Sequence, residues 1–254
     1  MMKENILGYN VDAFSADECA DELFGRLRGE GRNSWLACFN PHSYALSLKD
    51  ELFPRALKAA DWLVPDGTGV VLASGMLGGR IKDRVTGSDV FAGLNKRLDA
   101  AGNMRVFFLG ATEESLALIR QRMAQDYPGI TIAGTFSPPF KEEFSEADNR
   151  VMIEMINKAR PDVLWVGMSA PKQEKWIYLN KERLEVPFIA AVGAVFDFYA
   201  GTIRREMDSW VVNHGLEWLL RLVQEPRRLW RRTFVSAPVF FWNVFRERLR
   251  KRFF

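Results

Sequence analysis

Cysteine and histidine are nearly missing from this sequence: Cys19, Cys38, His42 and His214 are all that occur in 254 residues. Two cysteines without a CxxC or a Cys/His cluster exclude a disulfide scaffold and a structural zinc site, and they fit a reducing compartment. Two histidines leave a Ser/His/Asp triad little to work with, and the chain has no GxSxG elbow. GxxxxGK[ST] is absent, as is GxGxxG after the first strand, which demotes ATP hydrolysis and hydride transfer. There is no Asp-x-Asp pair of the kind that holds a divalent ion on a diphosphate, so a leaving diphosphate must be met by arginine, lysine, backbone amides or a helix N-terminus. No run reaches the roughly 20 apolar residues that span a bilayer. The opening MMKENILGYNVDAF lacks the pattern of a secretory leader, and the fold is expected to begin near residue 5.

What is present is a repeated unit. WLVPDGTGVV (62–71), RVFFLGATEES (105–115), DVLWVGMSAPKQEKW (162–176) and FIAAVGAVFDF (188–198) are apolar runs that end in a glycine loop and lead into a helical pattern. Runs this short and this apolar read as strands buried on both faces, as in a parallel sheet covered by helices. In such sheets ligands bind beyond the strand ends, where glycine lets backbone approach a ligand and a helix N-terminus favours phosphate. The expected pocket is therefore one for a nucleotide.

The rest of the chain supports strand and helix in alternation to about residue 200. Ser15 and Glu18 form a capping-box pattern opening a helix that closes at a glycine. SWLACFN (34–40) reads as a strand ending at Asn40, ELFPRALKAADW (51–62) as helical around its proline, and 87–103, 111–129 and 145–161 as helices, with TIAGTF (131–136) as a strand and SPPF (137–140) as a loop. At 48% hydrophobic and 26% charged, the chain can bury a full core. The fold class expected is α/β, a Rossmann-like mostly parallel sheet with helices on both faces, carrying a basic aromatic helical appendage. The division is placed at 1–205 for the sheet domain and 206–254 for the appendage.

Charge separates the two parts. Residues 215–254 hold ten Lys and Arg against three Glu, net +7, which leaves −4 for the first 214 residues of a chain whose total is +3. Trp218, Trp230, Phe234, Phe240, Phe241, Trp242, Phe245, Phe253 and Phe254 are interleaved with those cations. Basic plus aromatic points to an anionic membrane surface. TFVSAPVFFWNVF (233–245) is too short to cross and contains Pro238, so it is expected to lie in the interface. The competing reading is a helical hairpin packed on the core with its arginines in water. Nucleic acid is disfavoured as a partner, because no recognition motif accompanies the basic residues.

NPHSYALSLKDELFPRALKAADWLVPDGTGVV, RVTGSD, FFLGA, VGMSAPKQEKW, VGAVFDFYAG and GLEWLLRLVQEPRRLWRR occur in that order. Together they resemble the WecG/TagA/CpsF glycosyltransferases, glycosyltransferase family 26, over about residues 5–235. The resemblance implies an inverting, metal-independent enzyme with no cofactor. Such an enzyme moves a sugar from a UDP-sugar to a polyprenyl-diphosphate-linked saccharide during assembly of a cell-surface polysaccharide. It also implies a peripheral position on the cytoplasmic face of the bacterial inner membrane, with an appendage that completes the site and reaches the lipid diphosphate. The sugar is left open among N-acetylmannosamine, its uronic acid and glucose, and a homo-oligomer is compatible with the pattern.

The resemblance places the catalytic base at Asp66, which also sits where a strand-end carboxylate would enter the crevice; Asp-Gly is equally a common turn pair. On the donor side it implicates Asn40, Arg84, Gly87, Gly110, Gly167, Gln173 and Glu174. Against these stand plainer readings: Asn-Pro opens turns, an arginine forms surface ion pairs, and a Lys-Gln-Glu-Lys run is usually a solvated helix face. Arg221, Arg228 and Arg231 match the appendage motif as a clamp for the acceptor diphosphate. Cys38, where family members carry threonine, is a poorer hydrogen-bond donor and bears on donor preference. His42 is a conceivable second base or a structural hydrogen-bonding residue, and Asp197 a further candidate or a capping group. The alternatives are a soluble enzyme that modifies free nucleotide sugar, and a non-catalytic nucleotide-binding module docked to membrane.

Overall fold

The computed structural model describes residues 2–29, 33–202 and 230–253. It opens with a hairpin that strand and helix alternation did not anticipate: β1 (Lys3–Ile6) pairs antiparallel with β2 (Tyr9–Asp12). One side of the hairpin packs on the core through Ile6, Tyr9 and Val11. The buried Asp12 carboxylate then accepts the Leu63 N–H at 2.7 Å, which fastens the hairpin to the main sheet.

That sheet has six parallel strands in the order β4-β3-β8-β7-β5-β6. They are β3 (Ser34–Phe39), β4 (Trp62–Pro65), β5 (Met104–Gly110), β6 (Ile130–Phe136), β7 (Val163–Gly167) and β8 (Phe188–Ala191). The four glycine-terminated runs are strands β4, β5, β7 and β8, as their composition predicts. Side chains alternate between two cores. Trp35, Ala37, Phe39, Leu164, Val166, Ile189 and Ala191 face one; Leu36, Val163, Trp165, Phe188 and Ala190 face the other.

Helices close both faces. The first core is covered by α2 (Pro41–Ser47), α3 (Leu52–Lys58), α4 (Thr68–Leu77), α7 (Glu146–Ala159) and α8 (Lys172–Asn180). The second is covered by α1 (Ala16–Leu27), α5 (Gly87–Ala101), α6 (Glu113–Asp126) and α9 (Val195–Ala200). Helix starts follow local chemistry: Ser15, Thr86 and Ser145 each cap with a reciprocal acidic residue three positions on. The helix read over 51–62 is shorter, ending at Lys58, because Trp62 is already a strand residue.

The C-terminal helix α10 (Ala237–Phe253) runs through Pro238 instead of breaking there. Helical backbone runs unbroken over 230–253, and the turn before Pro238, Arg232–Ser236, is π-helical, with a wider spacing that accommodates the N–H that proline lacks. Ser236, Phe240 and Val244, four residues apart, are buried, and Phe240 packs edge-on against Tyr44 and Phe39 with centroids 5.5 and 6.4 Å away. Packing on the core is thus what this stripe does. The opposite side exposes Trp242 (62%), Phe245 and Leu249. Among the described residues no helix is long and apolar enough to cross a membrane. Phe240→Ala is expected to cost about 3 kcal/mol of stability through the cavity left between Phe39 and Tyr44, measurable as a lowered urea midpoint at unchanged slope.

Candidate functional site

Asp66 follows β4 directly and is half-buried. Its N–H donates to the Phe39 carbonyl at 2.8 Å, adding one rung to the β3 and β4 ladder. Its carboxylate Oδ2 accepts from Asn40 Nδ2 at 3.0 Å. Asn40, one residue past β3, uses the other end of the same amide as the cap of α2: Oδ1 accepts the N–H groups of His42 and Ser43 at 3.0 and 2.9 Å. Asn40 thus caps α2 with one end of its amide and holds Asp66 with the other. Gly67, with φ of 99°, lets the chain reverse immediately after Asp66 into α4.

The segment preceding α5 lies beside this pair. The Val85 N–H donates to the Pro65 carbonyl at 3.0 Å, which brings the exposed Arg84 to the end of β4. Gly87 opens α5 against the end of β8: a Cβ there would lie 3.1 Å from the Val192 carbonyl and 3.2 Å from a Val195 methyl. Gly110 and Gly167 serve approaches inside the protein. A Cβ on Gly110 would meet the Gly167 carbonyl at 2.5 Å, and one on Gly167 the Phe196 ring at 2.4 Å.

The Lys-Gln-Glu-Lys run does not form a solvated face. Its two lysines turn outward, Lys175 to Asp50 at 2.7 Å and Lys172 over the Phe144 ring at 4.2 Å. Gln173 and Glu174 turn inward and are only 3% and 2% exposed. Gln173 Nε2 donates to Glu174 Oε1 at 2.8 Å, while Gln173 Oε1 accepts the Gly193 N–H at 3.0 Å. Gly193, at φ of 61°, forms the turn between β8 and α9. Burial pushes the Glu174 carboxyl up to about 7, against the opposing pull of its hydrogen bonds from Gln173 and from its own backbone.

Cys38 feels both carboxyl groups. Its Sγ donates to the Ala191 carbonyl at 3.7 Å. Burial, and then the charges of Asp66 and Glu174, push its thiol well above the ordinary range. His42 takes the structural role, its Nδ1 lying 2.9 Å from Ser236 Oγ just before α10. Burial and then Arg232 lower its titration to about 4, so the ring is neutral near pH 7. Asp197 is turned away toward α6, where Oδ1 accepts from Ser115 Oγ at 3.3 Å. Arg231 is exposed, and Arg221 and Arg228 lie outside the described residues.

The ends of β4, β3 and β8 thus collect Asp66, Asn40, Cys38, Gln173 and Glu174, with Arg84 and Gly87 alongside. Gly110, two strands from β8, and Asp197 do not join them. Two participants went unread in the sequence. Gly193 stands in VGAVFDF, where the glycine after an apolar run was the available signal; Ser236 carries none, because its partner His42 is 194 residues away.

A carboxylate held at the strand ends of a parallel sheet, with an arginine-bearing segment and a helix start bonded to the same strand end, fits an α/β group-transfer enzyme. The chain belongs to the glycosyl transferase WecG/TagA/CpsF family, whose pattern matches residues 4–253. It is 30% identical over 218 residues to an N-acetylglucosaminyldiphosphoundecaprenol N-acetyl-beta-D-mannosaminyltransferase of Bacillus spizizenii, covering 86% of this chain and 81% of the relative. A protein of the same name from Bacillus subtilis is 29% identical, covering 86% and 82%. One from Staphylococcus aureus is 25% identical, covering 95% and 92%.

The Glu174 carboxyl fixes a sign for stability. Its folded value is raised from 4.5 to about 7, so the folded chain keeps a proton that the unfolded chain releases, and stability falls as pH rises through that window. Glu174→Gln is expected to remove this slope. The difference between variant and wild type should change by about 3 kcal/mol between pH 4 and pH 8, read from urea unfolding at both values.

Proposed function

We propose that this chain transfers a sugar from a UDP-sugar to a saccharide carried on polyprenyl diphosphate, with inversion and without a metal. The relatives' names support an N-acetylmannosamine donor and an N-acetylglucosaminyl-diphospho-undecaprenol acceptor. The observation that carries the reading is the Asn40 to Asp66 contact of 3.0 Å at the strand ends, with Arg84 brought beside it by the Val85 to Pro65 bond.

In this reading Asp66 accepts the acceptor hydroxyl's proton as that oxygen attacks the anomeric carbon, and the bond from that carbon to the UDP oxygen breaks on the opposite side. Asn40 orients the carboxylate. Arg84 and the start of α5 at Gly87 take the growing charge on the departing diphosphate. Gln173 faces the donor, with Glu174 behind it. Cys38 replaces a hydroxyl donor at the rim. Arg231, together with Arg221 and Arg228, binds the acceptor's diphosphate.

The exposed side of α10 supports a peripheral site of action on an anionic membrane, at the cytoplasmic face where nucleotide sugars are held. Trp242, Phe245 and Leu249 stand outward among Arg246, Arg248 and Arg250. The appendage in this reading comprises 206–254, and its helix serves both the core and the lipid surface.

Offered a panel of UDP-sugars and a short polyprenyl-diphosphate N-acetylglucosamine without added metal, the chain should convert one donor to a lipid-linked disaccharide. Modification of free UDP-sugar without lipid would favour a nucleotide-sugar enzyme instead. Asp66→Asn should lower kcat by about 10²- to 10⁴-fold while UDP still raises the melting temperature; full activity in that variant would favour the non-catalytic module.

Deleting the tail would strip Phe240 and Val244 from the core, so membrane contact is better tested by surface variants. Trp242→Ala with Phe245→Ala should weaken sedimentation with phosphatidylglycerol vesicles by about tenfold or more. Binding unchanged from the wild type would remove α10 from the membrane contact.

A further inference from the structure

Glu174 has an environment that an ionised carboxylate cannot tolerate. It is 2% exposed, its Oε2 has no hydrogen-bond partner, and its Oε1 has one side-chain partner, the neutral amide of Gln173. No cation faces it. Lys172 and Lys175 of its own helix are directed outward to Phe144 and Asp50; on α3, which packs against α8, Arg55 and Lys58 are exposed, and Lys58 lies over the Tyr9 ring. β3 offers the Cys38 thiol, on which the Asp66 carboxylate, a like charge, also acts. A buried carboxylate held only by a neutral amide and its own backbone N–H, with no counter-charge among the described residues, is costly, and the usual escape is to bind a proton.

The neutral acid has a geometric consequence. Gln173 must direct its oxygen to the Gly193 N–H and its nitrogen to Glu174, because those are the donor and the acceptor available. One N–H of that amide is used by Glu174 and the second is left over. The array therefore ties α8 to the turn after β8, at the edge where Cys38 and Asp66 lie.

We propose that Glu174 is a positioning residue of the donor site: as a neutral acid it holds the Gln173 amide in register with Gly193 and turns the remaining amide N–H to the sugar nucleotide. Ionisation drives the carboxylate toward water and releases the array, so that donor capture is lost toward alkaline pH while the chemical step at Asp66 persists. This rests on the transferase reading above. It gives the reaction two carboxyl groups of opposite requirement, Asp66 acting as the anion and Glu174 as the acid.

The test uses the full chain with saturating acceptor. Donor KM and kcat are measured between pH 5.5 and 9 for wild type, Glu174→Gln and Glu174→Ala, together with UDP binding by calorimetry over the same range. For the wild type, donor KM should begin to rise near pH 7 and approach a tenfold increase per unit beyond it, with kcat on a plateau and UDP affinity weakening in step. Glu174→Ala should raise KM at every pH. Glu174→Gln should restore donor capture and make it independent of pH, since an amide keeps the acceptor and cannot ionise.

A Glu174→Gln variant that keeps the wild-type alkaline limb overturns the proposal, as does one that is as defective as Glu174→Ala throughout, which would mean that the anion itself is needed. If Glu174→Ala does not fold, the comparison of Glu174→Gln with wild type decides alone. A wild type that makes no lipid-linked product but binds UDP sinks the transferase reading, and the pH course of UDP binding then judges Glu174 separately. A wild type that does not bind UDP removes both.

Discussion

One side chain carries an unusual share of this structure. The Asn40 amide ends β3, starts α2 through its oxygen, and restrains Asp66 on the neighbouring strand through its nitrogen. Both ends of the amide are committed, so it cannot flip or drift without losing either a helix cap or the carboxylate. A reactive group on a short strand-to-helix turn is otherwise free to rotate. Here its direction is set by the same bonds that hold β3, β4 and α2 together, which couples the geometry of the site to the stability of that edge of the sheet.

The same edge receives the C-terminal helix. His42 is two residues beyond Asn40, and its contact with Ser236, along with Phe240 packed on Phe39 and Tyr44, joins α10 to the element that Asn40 caps. A helix whose inner stripe is part of the core and whose outer side is aromatic and basic links two environments. In the proposed transfer a lipid acceptor and a nucleotide donor meet at Asp66, and the seating of α10 on α2 fits that reading.

Around that point the fold segregates charge. Asp66 keeps a polar partner and partial exposure. Glu174 is enclosed, and burial pushes its carboxyl up to about 7. Burial raises the titration of Glu174, and both carboxyl groups act on the Cys38 thiol.

Much of this was legible in the sequence. The short apolar runs ending in glycine became the buried parallel strands, because only a strand covered on both faces leaves no position for a polar residue. The capping box at Ser15 marked a helix start, since a side chain three residues from its partner needs no tertiary contact to form the bond. Asp66 and Asn40 were identified at strand ends from their motifs. What stayed hidden depends on residues far apart in the chain. KENILGYNVD gave no sign of a hairpin, because its pairing is rewarded only when Asp12 reaches Leu63. The lysines around Gln173 and Glu174 suggested a wet face, and only packing against the turn at Gly193 decided that the middle pair points inward. Pro238 promised a break that the preceding π-turn absorbed. The order of the strands, the bond from Asn40 to Asp66 and the seating of α10 on His42 were likewise settled by tertiary structure. A chain's local pattern determines which face of each element is apolar; which elements meet, and so which polar groups must satisfy one another, depends on three-dimensional proximity that no local pattern encodes.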